Sequence, residues 1–185
     1  MPYPAADRAA LLDLARGAIA HGLHAATPPA VDVAACAPAL RDIRASFVTI
    51  EIESQLRGCI GTLEAHRPLA VDVAHNAHAA GFRDPRFAPL SAPEFERIEL
   101  HISVLTPPEP LPVADEADLL ASLRRGIDGL ILEDGRHRAT FLPAVWDSLP
   151  DRREFLAHLK RKAGLPPNHW SRSIRFLRYE AEVID

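Results

Sequence analysis

The sequence predicts an α+β fold, in which a mainly antiparallel sheet is flanked by helices. Two pairs of short strands, within residues 47–63 and 126–142, are each joined by only a few residues, as in β-hairpins. Each hairpin is followed by a helical pattern and then by one further strand, without the regular strand–helix alternation of a parallel sheet. The 185 residues fit one domain. We expect a lobe boundary near residues 107–112, which contain four prolines.

The first half of the chain shows clear helical and strand periods. Apolar residues at helical spacing predict an opening helix over 4–23, and an alanine-rich pattern predicts another over 68–81. Between them, residues 47–53 alternate apolar and polar side chains, as in a half-buried strand. Ser54-Gln55 is predicted to turn the chain back into a second strand. The same alternation predicts a strand over 98–104.

The second half repeats the order of helix, hairpin, helix and strand. A short helix is predicted over 115–123, followed by a hairpin whose strands cover 126–132 and 138–142 around an Asp-Gly turn. Residues 151–163 form an amphipathic pattern that ends at a glycine, which predicts a helix. A final strand over 174–184 is expected to close the sheet.

Composition and charge exclude several classes of protein. The chain is 48% hydrophobic and 25% charged, which is typical of a globular protein, and no apolar run is long enough to cross a membrane, so we expect a cytoplasmic protein. A net charge of −4 and a pI near 6.1 disfavour nucleic-acid binding. Two cysteines, Cys36 and Cys59, are too few for a disulfide scaffold or a four-thiolate metal site, and no cofactor is predicted.

Residues 56–62 combine a thiol, a guanidinium and two glycines within a segment that otherwise resembles a buried strand. Strand alternation places Arg57 and Cys59 on one face, roughly 7 Å apart at the backbone, so both could contact one bound group. Gly61 is expected to leave a bare patch beside Cys59. A nearby positive charge also stabilises a thiolate, which makes Cys59 a candidate nucleophile.

Other polar residues are candidates for anion binding, proton transfer or metal binding. Asp84 and Arg86 lie in a rigid turn and form either a structural ion pair or part of an anion site. His101 is a candidate proton carrier on the polar face of its strand. His75 and His78 are spaced to chelate a metal, but no third ligand lies on a matching face, so no metal site is predicted.

Several segments resemble the AMMECR family, whose bacterial and archaeal members are called AmmeMemoRadiSam system protein A. The segment Leu56-Arg57-Gly58-Cys59-Ile60-Gly61 is similar to the signature hexapeptide of that family. Further similar segments are 84–87 with 89–90, 101–105 before Pro108, 126–130, 141–143, and 155–156 with 162–165. The resemblance covers most of the chain from residue 47 onward and implies an AMMECR-like fold without implying a specific reaction.

The resemblance implies two protein partners. These are a Memo-like protein, similar to metal-dependent extradiol dioxygenases, and a radical SAM protein. This chain lacks the three-cysteine cluster motif, so any radical chemistry would belong to the partner. The candidate ligand-binding residues are Arg57, Gly58, Gly61, Thr62, Asp84 and Arg86.

Three hypotheses follow for the function. In the first, the chain is an accessory component that binds a small anionic or peptide-like ligand in an Arg57/Cys59 cleft and acts with those partners. In the second, it is an enzyme with Cys59 as nucleophile and a histidine, His66, His75, His78 or His101, as base. The third, nucleic-acid-linked regulation, is the least supported, because the chain is acidic and only 6% aromatic.

Overall fold

The computed structural model describes residues 2–185 and confirms the α+β prediction, with six α-helices and two four-stranded sheets in that range. The helices are α1 (Ala5–Gly22), α2 (Leu69–Phe82), α3 (Ala92–Phe95), α4 (Glu116–Ser122), α5 (Val145–Ser148) and α6 (Arg152–Lys162). The strands are β1 (Ser46–Ile52), β2 (Gln55–Gly61), β3 (Glu99–Leu105), β4 (Glu109–Pro110), β5 (Gly129–Asp134), β6 (His137–Phe141), β7 (Arg175–Tyr179) and β8 (Ala181–Ile184). Short 3₁₀ turns cover Val33–Ala35 and Pro38–Arg41.

The chain folds into two compact units. One consists of the residues up to Leu105 together with Glu182–Asp185, and the other is Thr106–Ala181. The first unit has the sheet order β2-β1-β3-β8, and the second has the order β4-β7-β5-β6.

The single strand predicted over 174–184 is wrong, because two strands in different sheets cover this range. Strand β7 pairs in the second unit, whereas β8 lies beside β3 in the first. Glu180 separates them, and its N–H donates to the side chain of Thr106 at 2.9 Å instead of continuing a strand ladder. The alternation pattern contains no signal for this interruption.

Helices α1 and α2 pack on one face of the first sheet. The side chains that face them are apolar and almost fully buried, among them Val48, Ile50 and Ile102. Because successive strand residues alternate between faces, the neighbouring polar residues Thr49 and His101 lie on the opposite face. This polar face carries the candidate site.

The hairpin between β1 and β2 turns one residue earlier than predicted. Its loop is Glu53-Ser54, and these two residues have φ angles of 53° and 58°. Two successive left-handed residues match a type I′ turn, whose twist suits the flanking strands.

The second unit has its own core. Trp146 and Phe155 are almost fully buried there and stack with ring centroids 3.8 Å apart. Leucines of β5 and α6 pack around them. None of the helices in residues 2–185 combines the length and the apolar character that a membrane-spanning segment requires.

Candidate functional site

Strand β2 packs very closely against α2. A Cβ atom on Gly58 would lie only 2.2 Å from the carbonyl oxygen of Ala80, which belongs to the backbone of α2. A side chain at position 58 would therefore force the strand and the helix apart. With Gly58 against the helix, the next residue, Cys59, lies on the polar face.

Cys59 is half-buried in the middle of β2. The Thr49 hydroxyl donates a hydrogen bond to its Sγ at 3.3 Å. In the strand register, Thr49 lies opposite Cys59 on one side and opposite His101 on the other. Cys59 and His101 are thus separated by two strand spacings, about 10 Å at the backbone.

The outer edge of β2 is bound by an ion pair instead of another strand. The Cys59 N–H donates to Asp84 Oδ2 at 2.9 Å, and Arg86 Nη2 donates to the Cys59 carbonyl at 3.2 Å. Arg86 also binds both Asp84 oxygens, at 2.9 and 2.6 Å. Asp84 is buried, and the hydrogen bonds from Arg86 and from the Cys59 backbone hold the pKa of its carboxyl well below the usual range.

The register of β2 contains a bulge that the alternation pattern did not predict. Gly58 pairs with Ile50, but Glu51 pairs with Leu56, so Arg57 is the extra residue on β2. A bulge changes the direction in which the side chain of the extra residue points. The strict alternation used to place Arg57 beside Cys59 is therefore interrupted between them.

The Arg57 guanidinium binds the segment that follows α2. Its Nε and Nη2 donate to the two Glu94 oxygens at 2.8 and 3.2 Å, and Nη2 also donates to the Ala88 carbonyl at 2.9 Å. Its Nη1 is buried and has no hydrogen-bond partner in residues 2–185. Hydrogen bonds from Arg57 and from the α3 N-cap lower the pKa of Glu94 to about 2. The guanidinium carbons of Arg57 and Arg86 lie 5.7 and 5.5 Å from the Phe87 ring centre.

The bare patch expected at Gly61 is filled. A Cβ atom there would lie 2.2 Å from the ring of Phe47, its partner on β1. Gly61 thus makes room for an aromatic ring, and the expectation of an open gap beside Cys59 is wrong. The spacing of residues within β2 carries no information about a side chain on the partner strand.

Thr62 belongs to a separate buried cluster around Asp72. Both carboxylate oxygens of Asp72 lie 2.9 Å from the Thr62 hydroxyl, and Asp72 has no exposed surface. The other donors to this carboxylate are Ser46, Arg67 and Asn76. This cluster joins the start of β1, the segment after β2 and α2. The local sequence patterns did not predict this cluster, although an aspartate inside an alanine-rich helix was an available signal.

The histidines proposed as bases do not converge on Cys59. His78 is buried and lies 3.3 Å from the Ala25 carbonyl, and His66 is exposed beside the Glu64 carbonyl. Burial lowers the pKa of His75. His101, in contrast, lies on the polar face, with its Nε2 3.7 Å from Glu51 Oε2.

Comparisons with known proteins show which family this chain is related to. The AMMECR1 family model matches residues 12–184. The chain belongs to the AMMECR1 family. It is 42% identical to a protein of Methanothermobacter thermautotrophicus over 150 residues, which cover 78% of this chain and 76% of the relative. It is 38% identical to a protein of Methanocaldococcus jannaschii over 150 residues, covering 77% and 73%.

The fold is also similar to that of an uncharacterised protein of Pyrococcus horikoshii with a known crystal structure. The TM-score is 0.81 at 33% sequence identity, and the match covers 94% of this chain and 88% of the other. Within this AMMECR1 fold, the predicted site residues Arg57, Cys59, Asp84 and Arg86 come together along the edge of β2. Gly58 and Gly61 lie at packing contacts, whereas Thr62 and His101 lie in other side-chain groups.

The second unit of this AMMECR1 protein contains a further polar cluster. Asp134 accepts hydrogen bonds from His169, Ser171 and Ser173 at 2.6 to 2.8 Å, and these bonds lower its pKa to about 2. Ser171 donates to the carboxylate and not to the histidine, so the three residue types do not form a Ser-His-Asp relay. The cluster fixes the segment before β7 to the end of β5.

Proposed function

We propose that this AMMECR1 protein is a ligand-binding component, and that its ligand lies on the face of β2 that carries Arg57 and Cys59. The observation that carries this proposal is the pairing of both guanidinium groups near Cys59. Arg57 is bound to Glu94, and Arg86 is bound to Asp84. The site therefore has polar groups held in position by ion pairs between β2 and the segment that follows α2, as a binding site requires, but no unpaired guanidinium dedicated to a thiolate.

The backbone around Cys59 supports the same proposal. A cysteine enzyme that transfers acyl groups needs N–H donors for the developing oxyanion. The Cys59 N–H already donates to Asp84, so it does not serve in this role. The hydrogen bond between the Cys59 N–H and Asp84 therefore favours ligand binding over covalent catalysis.

An anionic or peptide-like ligand suits the unsatisfied Nη1 donor of Arg57. Arg57 Nη1 is buried without an acceptor among the described residues, and a buried unpaired donor is energetically unfavourable. A carboxylate or carbonyl oxygen that reached Nη1 would remove this penalty. The bound group would contact the segment of Phe87 and Ala88, which surrounds the guanidinium.

The proposed partners are the Memo-like protein and the radical SAM protein that the family resemblance implies. A pull-down from purified components tests this role. The tagged chain is incubated with the two proteins from the same organism, and retained partner is quantified for the wild type and for Arg57→Gln, Glu94→Gln and Cys36→Ser. We expect Arg57→Gln to lose most of the retained partner, because it removes the guanidinium.

The other two variants are controls. Glu94→Gln removes the charge of the same ion pair but keeps the guanidinium and an oxygen acceptor for it, so it is expected to lose much less of the retained partner than Arg57→Gln. Cys36→Ser alters a thiol between the two 3₁₀ turns, outside the site, and is expected to behave as the wild type. Equal losses in Arg57→Gln and Glu94→Gln would mean that only the ion pair matters and would contradict a binding role for Arg57. Absence of any partner in the wild-type sample would contradict the component role.

The alternative is an enzyme with Cys59 as nucleophile. The hydrogen bond from the Thr49 hydroxyl to Sγ favours it, because this donor helps to stabilise a thiolate. In this hypothesis, His101 acts as proton carrier through Thr49, which lies between them. Complementation in cells separates the two functions: a Cys59→Ser protein that retains full activity supports binding, and one that is inactive while folded supports catalysis.

A further inference from the structure

Three potential metal ligands meet on the polar face of the first sheet. Glu51 lies on β1 directly opposite Glu99 on β3, and His101 follows two residues later on the same face of β3. One ligand atom from each of the three side chains lies within 4.8 Å of the others. Because all three are on paired strands and not on loops, their backbones are held in fixed register.

Within residues 2–185, no lysine or arginine forms an ion pair with Glu51 or Glu99. Two carboxylates directly opposite each other on neighbouring strands repel. Among residues 2–185, the described ion pair of Glu51 is with His101, at 3.7 Å, and Glu99 forms none. The next acidic residue along the hairpin, Glu53, is by contrast paired with Arg97. A divalent cation would supply the charge that the two glutamates lack.

The ligand types and distances fit a transition-metal ion. Imidazole and carboxylate together are ligands of Zn²⁺ and similar ions, and tetrahedral ligands at such bond lengths lie about 3.4 Å apart. The 3.7 Å between His101 Nε2 and Glu51 Oε2 is close to this value. Glu99 is exposed, so its side chain can change rotamer to complete the site.

We propose that Glu51, Glu99 and His101 bind one divalent transition-metal ion, with Zn²⁺ as the representative ion, and leave a coordination position for water. Three protein ligands and one open position are the arrangement of zinc sites that are accessible to other molecules. The ion would lie on the same sheet face as Cys59, beyond Thr49. This inference does not depend on the ligand-binding function proposed for Arg57 and Cys59.

No metal site was predicted from the sequence, because the spacing that indicates a chelating pair within a helix does not apply to ligands on paired strands. His75 and His78 satisfied that criterion, but the structure places His78 in the core. Glu51 is about 50 residues from its two partners in the sequence, and only the strand register brings them together.

Zinc binding to the full chain, freed of any histidine tag and stripped of metal, tests the proposal. We expect isothermal titration calorimetry to show one Zn²⁺ per chain. Glu99→Gln and His101→Asn are each expected to weaken the affinity at least about tenfold. Glu96→Gln and His158→Asn, which change the same residue types at exposed positions outside the cluster, are expected to bind as the wild type does.

Thermal unfolding gives a second test, in which Glu99→Gln is compared with the wild type both without and with Zn²⁺. Without metal, Glu99→Gln is expected to melt at the same temperature as the wild type or higher, because it removes the repulsion with Glu51. With saturating Zn²⁺, the wild type is expected to gain more stability than this variant.

Two results would overturn the proposal: the wild type binds no Zn²⁺, or Glu99→Gln and His101→Asn bind it as tightly as the wild type. In the second case, loss of binding in Cys59→Ser would show that the thiol holds the ion.

Discussion

The ion pair between Asp84 and Arg86 predicts an asymmetric response to mutation. The Asp84 side chain is 2% exposed, whereas the Arg86 side chain is 53% exposed. Removing Arg86 leaves a carboxylate in the interior without its cation, and breaking a buried pair in this way costs about 3 to 5 kcal/mol. Replacing Asp84 with asparagine leaves the guanidinium in solvent and keeps an oxygen acceptor for the Cys59 N–H, so the expected cost is about 1 to 2 kcal/mol.

Urea unfolding at neutral pH measures this difference. A gap of about 2 kcal/mol between Arg86→Ala and Asp84→Asn corresponds to roughly 1 M in the urea midpoint. Both tryptophans, Trp146 and Trp170, belong to the second unit, so their fluorescence does not report on this site. Far-UV circular dichroism follows α1 and α2, the two longest helices, and is the suitable signal.

A surface ion pair in the same unit provides the control. Arg97 pairs with Glu53, and both side chains are more than half exposed. Arg97→Ala is therefore expected to cost less than about 1 kcal/mol. If Asp84→Asn were as destabilising as Arg86→Ala, or if Arg86→Ala cost no more than Arg97→Ala, the assignment of a buried carboxylate that depends on Arg86 at the edge of β2 would be refuted.

Two further predictions concern packing and pH. Gly58→Ala is expected to destabilise the first unit by about 3 kcal/mol, because its Cβ would meet the Ala80 carbonyl, whereas Gly17→Ala in α1 has open space and should stabilise by about 0.5 to 1 kcal/mol. Equal effects of the two in urea unfolding would contradict the close approach of β2 and α2. The folded-state pKa values of Glu94 and Asp134 are lowered to about 2, so the stability that these carboxylates contribute is present above about pH 5 and is lost as the pH falls towards 2. Thermal unfolding across this range should show the decline, with a smaller slope for Glu94→Gln, and an unchanged slope would contradict the lowered pKa of Glu94.

Local sequence patterns predicted the elements of the fold because their periods are local. The alternation over 47–53 gave β1, and the apolar spacing over 4–23 and 151–163 gave α1 and α6. The predicted ends of strands were less accurate where the conformation of a turn residue determines the end of the strand. The left-handed Glu53 and Ser54 begin the hairpin loop one residue earlier than the pattern indicated.

Features that depend on distant residues were not predictable in this way. A bulge at Arg57 changes the register without changing the composition of the strand. The ring that fills the space at Gly61 comes from Phe47, on the partner strand. The final strand is divided at Glu180 by a hydrogen bond to Thr106, 74 residues earlier.

The part of the candidate site that was predicted consists of residues that are close together in the sequence. Residues of one short motif, Arg57 and Cys59, and of one turn, Asp84 and Arg86, were identified because each pair is local. The hydrogen bonds that join the motif to the turn link residues that are distant in the sequence, so they can be identified only in the folded structure. Glu94, which neutralises Arg57, was missed because nothing in its own surroundings in the sequence indicates a partner 37 residues away.

The rate at which iodoacetamide alkylates Cys59 tests the central claim, that the chain binds at the face of β2 that carries this thiol. Mass spectrometry follows Cys59 and Cys36 in the same sample, with and without the purified Memo-like and radical SAM proteins. With partner at about ten times its Kd, the free fraction falls about tenfold, and alkylation of Cys59 should slow by the same factor while Cys36 is unaffected. Unchanged alkylation of Cys59 in a sample where the complex has formed would contradict the claim.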